Sequence, residues 1–185
     1  MIALSLPEIK DFMNKLLCTD TFGHFLLKEA VILGSVTEIY TLSLHDALPI
    51  LGSVTWSLDG TIQPDFYSSD EADALGLTGL SFLPFEQVRP QCFDLIKGKR
   101  TPSYFKFVFL LSPKNLERTL LSTHSSFTPE DITGMFINLK FQQKKLLLTT
   151  GISYRIFSVD KSLDQEWDSL VKRFLTAHEI SFEEL

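Results

Sequence analysis

The chain has 185 residues, a formal charge of −6, 44% hydrophobic and 22% charged residues, and sixteen Phe. That length and composition exclude a disordered chain and suit one domain with a sizeable, aromatic-rich core. The mild acidity argues against a surface built throughout for nucleic acid and leaves room only for a local basic patch.

Ser5-Leu-Pro-Glu8 has the form of a capping box, with proline tolerated in the first turn. Ile9, Phe12, Met13, Leu16 and Leu17 follow at helical spacing, which predicts a first helix over 6–18. His24 to Val36 is rich in Leu, Val, Ile and Phe and reads as a strand.

Thr37 to Ile50, TEIYTLSLHDALPI, breaks the pattern: it looks like one reading-frame translation of a common short-read sequencing adapter. The hexapeptide ILGSVT flanks it, at Ile32–Thr37 and again 18 residues later at Ile50–Thr55. Residues 37–54 are therefore expected to be a non-native insert, a loop or a surplus hairpin, leaving 167 natural residues. Because Glu38 and Asp46 fall within it, the remaining chain would stand at −4. With the insert removed, the strand continues through Thr55, Trp56 and Leu58 to Asp59-Gly60, the preferred pair for a type I′ hairpin turn, and Thr61 to Gln63 returns.

Further on, Ser68–Ala74 predicts a short helix ending at Gly76. Phe85–Lys97 has helical periodicity, with Pro90 splitting it or marking a fresh start and Gly98 as C-cap. Ser103–Leu111 is an apolar strand, and Ser112-Pro113 opens a helix carrying Leu116, Leu120 and Leu121. Thr128-Pro-Glu-Asp131 predicts a single turn closing near Gly134. Three strands are expected at Met135–Phe141, Leu146–Thr150 and Ile152–Val159, with short turns near 142–145 and at Gly151. The last helix, 162–177, places Leu163, Trp167, Leu170, Val171 and Phe174 on one stripe. Together these predict one α+β domain over 1–185: an antiparallel sheet of about five or six strands with N-terminal, middle and C-terminal helices packed on it.

Several stretches resemble a bacterial family, domain-of-unknown-function family 5721: IKDFMNKLL and DTFGHFLLKEA, the DG pair followed by DFY, RPQCFDLIKGKRTP, FKFVFLL, and TTGISYRIFSVDKSLDQEWDSLVKRFL. The resemblance covers most of 1–182 apart from 37–54. It implies a shared fold in a cytosolic bacterial protein and no established activity, so no functional residue is carried over.

No motif points to chemistry. Cys18 and Cys92 fit no CxxC or zinc spacing and read as buried, reduced thiols, which suits a cytoplasmic protein. His24, His45, His124 and His178 form no HxH or HExxH pattern, so no metal is assigned. Cys92 and His124 could form a nucleophilic dyad, but nothing places them together and no GxSxG elbow exists. Gly76-Leu-Thr-Gly79 is no phosphate loop, and Glu183-Glu184-Leu185 reads as a solvated tail. No apolar run is long enough for a membrane span, and the N-terminus lacks a signal-peptide pattern.

One segment draws a site prediction. Lys97, Lys99 and Arg100 cluster at a helix end just before Lys106 and its aromatic strand, a set able to engage phosphate. Against this, cations at a helix C-terminus also complement its dipole. Alternating Phe105, Phe107 and Phe109 describe a strand face turned to the core. The leading reading is thus a non-enzymatic binding or interaction module with no cofactor, its protein partner or homo-oligomer unspecified. Nucleic-acid or anion binding through Lys97–Arg100, with Lys140, Lys144 and Lys145 as further cations, is the second reading. A small enzyme with a site invisible in sequence is the third.

Overall fold

The computed structural model describes residues 1–36, 52–63, 66–97, 102–123 and 125–185. In chain order the elements are β1 (Ala3–Ser5), α1 (Ile9–Cys18), β2 (Leu26–Val36), β3 (Gly52–Asp59), α2 (Ser69–Ala74), α3 (Phe85–Ile96), β4 (Tyr104–Leu110), α4 (Pro113–Ser122), a 3-10 turn (Pro129–Asp131), β5 (Ile132–Gln142), β6 (Lys145–Tyr154), α5 (Ser162–Ala177) and β7 (Glu183–Glu184). The described strands form one antiparallel seven-stranded sheet in the order β3-β2-β4-β5-β6-β1-β7. The α+β class holds, with more strands than the five or six expected.

Alternation along β4 decides which face is covered. Phe105, Phe107 and Phe109 are buried, and across the ladders they meet Ile32 and Ala30 of β2 and Phe141, Leu139 and Ile137 of β5. Helical stripes close over this face: Phe12, Leu16 and Leu17 from α1, Phe85, Val88 and Cys92 from α3, Leu116 and Leu120 from α4, and Leu163, Trp167, Val171 and Leu175 from α5. Aromatic rings dominate the seam. Phe85 meets Phe109 edge-on at 5.0 Å, and Phe22 lies 5.6 Å from Phe12 and 5.3 Å from Phe174. Each such pair contributes roughly 0.5–1.5 kcal/mol beyond the area it buries.

Side-chain bonds help to seat α5. Trp167 donates its indole N–H to the Phe136 carbonyl at 3.2 Å, and Tyr154 donates its hydroxyl to Asp164 at 2.9 Å. On the opposite face of the sheet, Val31, Lys106, Lys140, Leu147 and Ser5 form one cross-strand row, all exposed or half-buried.

Several local expectations are overturned. Ser5 caps no helix: it lies in β1, opposite Leu147 and Glu183, and α1 starts at Ile9 without a side-chain cap. The C-terminal residues are no free tail, since Glu183 and Glu184 pair with β1. Pairing with Leu147 and Glu183 takes up the Ser5 backbone, so the local box loses to the sheet. Pro90 does not split its helix; α3 runs through it. Gly151 is no turn either, because it continues β6 opposite Phe136. The proposed Gly98 cap lies outside the described residues.

Asp59-Gly60 is not a type I′ turn. Gly60 donates its N–H to the Lys28 carbonyl and accepts from Leu83, while Thr61 bridges to Phe82. A Cβ on Gly60 would sit 1.8 Å from the Leu27 carbonyl oxygen, so glycine is needed here for close approach rather than for a positive φ. The two hexapeptide copies lie in β2 and β3, where Gly34 pairs with Val54 and Val36 with Gly52. Residues 37–51 of the expected insert lie outside the described residues.

Candidate functional site

Helices α4 and α5 do not close fully over the sheet; between them lies a groove of about 630 Å³. Its two walls share the i, i+3, i+4, i+7 spacing that puts residues on one helical face. The α5 wall is apolar, made of Trp167, Leu170, Val171 and Phe174, and the α4 wall is polar, made of Asn115, Arg118, Thr119 and Ser122. Phe25, Leu111 and Ile137 form the floor, and His24 stands at one end.

The position of α4 explains its polar wall. Leu116 and Leu120 anchor the helix in the core, which turns the flanking residues 115, 118, 119 and 122 along the groove edge. Among the described residues, Arg118 meets no carboxylate at ion-pair distance, and the side chains of Asn115 and Thr119 form no hydrogen bond. Among the described residues no Asp, Glu or Cys lines the groove.

His24 packs its ring against Phe25 at 4.6 Å and meets Phe174 edge-on at 6.2 Å. Burial holds its pKa below the usual histidine value, the charge of His178 lowers it further, and Glu86 partly opposes both. Such a ring stays a neutral hydrogen-bonding group at neutral pH. The groove therefore holds hydrogen-bonding groups and one guanidinium on one side and hydrocarbon on the other. Among the described residues no hydroxyl of the groove is hydrogen-bonded to a base; Ser122 donates to the Thr119 carbonyl.

Those residues singled out from sequence that the structure describes stand on different elements. Lys97 follows α3 in the helix layer, its ammonium 5.0 Å over the Phe93 ring. Lys106 projects from the open face of β4 and pairs with Glu29 at 3.1 Å. Lys99 and Arg100 lie outside the described residues. Cys92 is fully buried in the core, and desolvation pushes its thiol up to about 12, far from a reactive thiolate. Its dyad partner His124 lies outside the described residues. Cys18, expected to be buried, is exposed at the last position of α1. Among the described residues no group of three or more His, Cys, Asp or Glu could hold a metal ion.

The groove was missed because its walls are some 50 residues apart along the chain; Asn115-x-x-Arg118-Thr119-x-x-Ser122 beside two core leucines was its only local sign.

A family model described as a family of unknown function, DUF5721, matches residues 15–183. The chain belongs to that family. Both groove walls of this DUF5721 chain fall within the matched span. No curated protein and no solved structure matches it. Among its described residues, no helix is long and apolar enough to cross a membrane.

Proposed function

We propose that this domain is a non-enzymatic binding module whose α4–α5 groove takes a small ligand with an apolar body and one anionic group. The carrying observation is the pairing of two matched helical stripes, hydrocarbon on α5 and hydrogen-bonding on α4, around a concavity of about 630 Å³. That volume lies in the range of small-molecule sites, which combine apolar lining with a few convergent polar groups. Arg118 suits a carboxylate or phosphate, which a guanidinium grips through two parallel hydrogen bonds. Asn115, Thr119 and neutral His24 would orient the same group. A bacterial cytoplasm is the location we propose; two free cysteines are in keeping with a reducing compartment.

The test is a titration with the anionic aromatic dye anilinonaphthalene sulfonate, followed by fluorescence. Saturable one-to-one binding is expected, weakened about tenfold by Arg118→Ala through the lost charged hydrogen bonds. Leu170→Gln, on the opposite wall, should weaken it comparably. Binding indifferent to both substitutions would remove the groove as the site. Turnover in a hydrolase and transferase screen, abolished by a groove substitution, would overturn the non-enzymatic reading.

A further inference from the structure

The open face of the sheet gathers cations on its central strands. On the outward positions of the central strands β4, β5 and β6, the only charged residues are Lys106, Lys140 and Lys145. Lys28, at the bulge in β2, adds a fourth ammonium, 5.3 Å over the Phe136 ring. This stands out in a chain whose formal charge is −6. Among the described strand residues the acids on this face are Glu29 on β2, beside β4, and Asp59 on β3 and Glu183 on β7 at the sheet edges.

Lys106 and Lys140 stand directly opposite one another across the β4–β5 ladder. Like charges in that position destabilise a sheet, and the Glu29–Lys106 ion pair, partly exposed on both sides, offsets this only weakly. An anionic chain laid over the face would offset that repulsion. Two aromatic rings mark its ends. Tyr104 lies at one end of β4, with the Lys140 ammonium 6.0 Å over its ring, and Phe136 pairs with Leu110 at the other. Six residues of strand separate the two positions, about 20 Å at 3.3 Å per residue. Rings spaced along a track of cations provide stacking for bases and charge for phosphates, the combination that holds single strands without reading their sequence.

We propose that this face, through Lys28, Lys106, Lys140, Lys145, Tyr104 and Phe136, binds single-stranded nucleic acid. The site lies on the opposite side of the sheet from the α4–α5 groove and stands independently of it.

Fluorescence anisotropy of the full chain with a labelled thymidine oligomer of about twelve nucleotides tests it. Four phosphate contacts predict a log–log salt slope of about −3, at about −0.7 per contact. The double substitution Lys140→Gln, Lys145→Gln, at exposed positions, should halve that slope. Tyr104→Leu should weaken binding several-fold and leave the slope unchanged, because it removes stacking and no charge. Absence of binding at low salt, a flat salt dependence, displacement by polyglutamate as readily as by unlabelled oligomer, or equal affinity for a fully duplex probe would overturn the proposal. So would binding unaffected by the double substitution.

Discussion

Two hairpins of one sheet, β5–β6 and β2–β3, solve the same pairing problem with very different connections. In β5–β6 the last pair, Gln142 with Lys145, is closed by two residues, Gln143 at φ 52° and Lys144 at φ 60°. Both central residues have positive φ, as a type I′ turn requires, so the connection itself sets the register. In β2–β3 the ladder runs from Glu29–Asp59 to Val36–Gly52, and residues 37–51 connect the strands. A connection of that length imposes no register. Here the register comes from the other end: Ala30 and Ile32 must face the core, and Gly60 must fit against the Leu27 carbonyl. One hairpin is specified by its turn and the other by its base.

The strongest way to break this contrast is at the base of β2–β3. Gly60→Ala forces a Cβ into the Leu27 carbonyl and should cost about 1–3 kcal/mol, as overpacking does. Hydrogen exchange should accelerate first at Lys28–Leu33 and leave β5–β6 protected; uniform acceleration would show that Gly60 does not act on this hairpin alone.

Deleting Thr37–Val54 sharpens the contrast from the other side. With the Leu33–Thr55 pair retained, only Gly34, Ser35 and Val36 remain to close the hairpin, the length of a common three-residue loop. We expect the domain to fold with that pair intact and to gain roughly 1 kcal/mol from the shorter loop, at about 0.6 kcal/mol per halving of length. An NMR contact between Leu33 and Thr55 reads the register. A strand running straight on through Val36 and Thr55 to Asp59-Gly60 would instead abolish it, and the retained-register prediction would fail.

The smallest effect lies in the β5–β6 turn. Lys144→Gly removes the left-handed strain of a side-chain-bearing residue and should stabilise by about 0.5–1 kcal/mol. A denaturation midpoint that falls would mean that the turn gains more from the lysine than its backbone loses.

How much could be read in advance follows the same division between local and distant constraint. The α5 stripe Leu163, Trp167, Val171 and the alternation of Phe105, Phe107 and Phe109 were legible because each pattern repeats within one element and its period names the element. The short strands β1 and β7 were not, since three residues and two residues carry no periodicity and form only because β6 offers an edge to β1 and β1 an edge to β7. Ser5-x-x-Glu8 and Asp59-Gly60 are local signals overruled by strand partners far along the chain. The groove left least trace, because α4 and α5 meet only after the sheet has brought them together.

By itself, the sequence determined the α+β class, the helix stripes and the aromatic covered face, properties that short-range spacing encodes, and it carried the resemblance to its family in whole segments. Tertiary structure alone decided that Arg118 stands beside an apolar wall, with no carboxylate at ion-pair distance among the described residues, and that Lys106 faces Lys140 across a ladder. Both depend on which elements become neighbours, and that is settled by burial summed over the whole core.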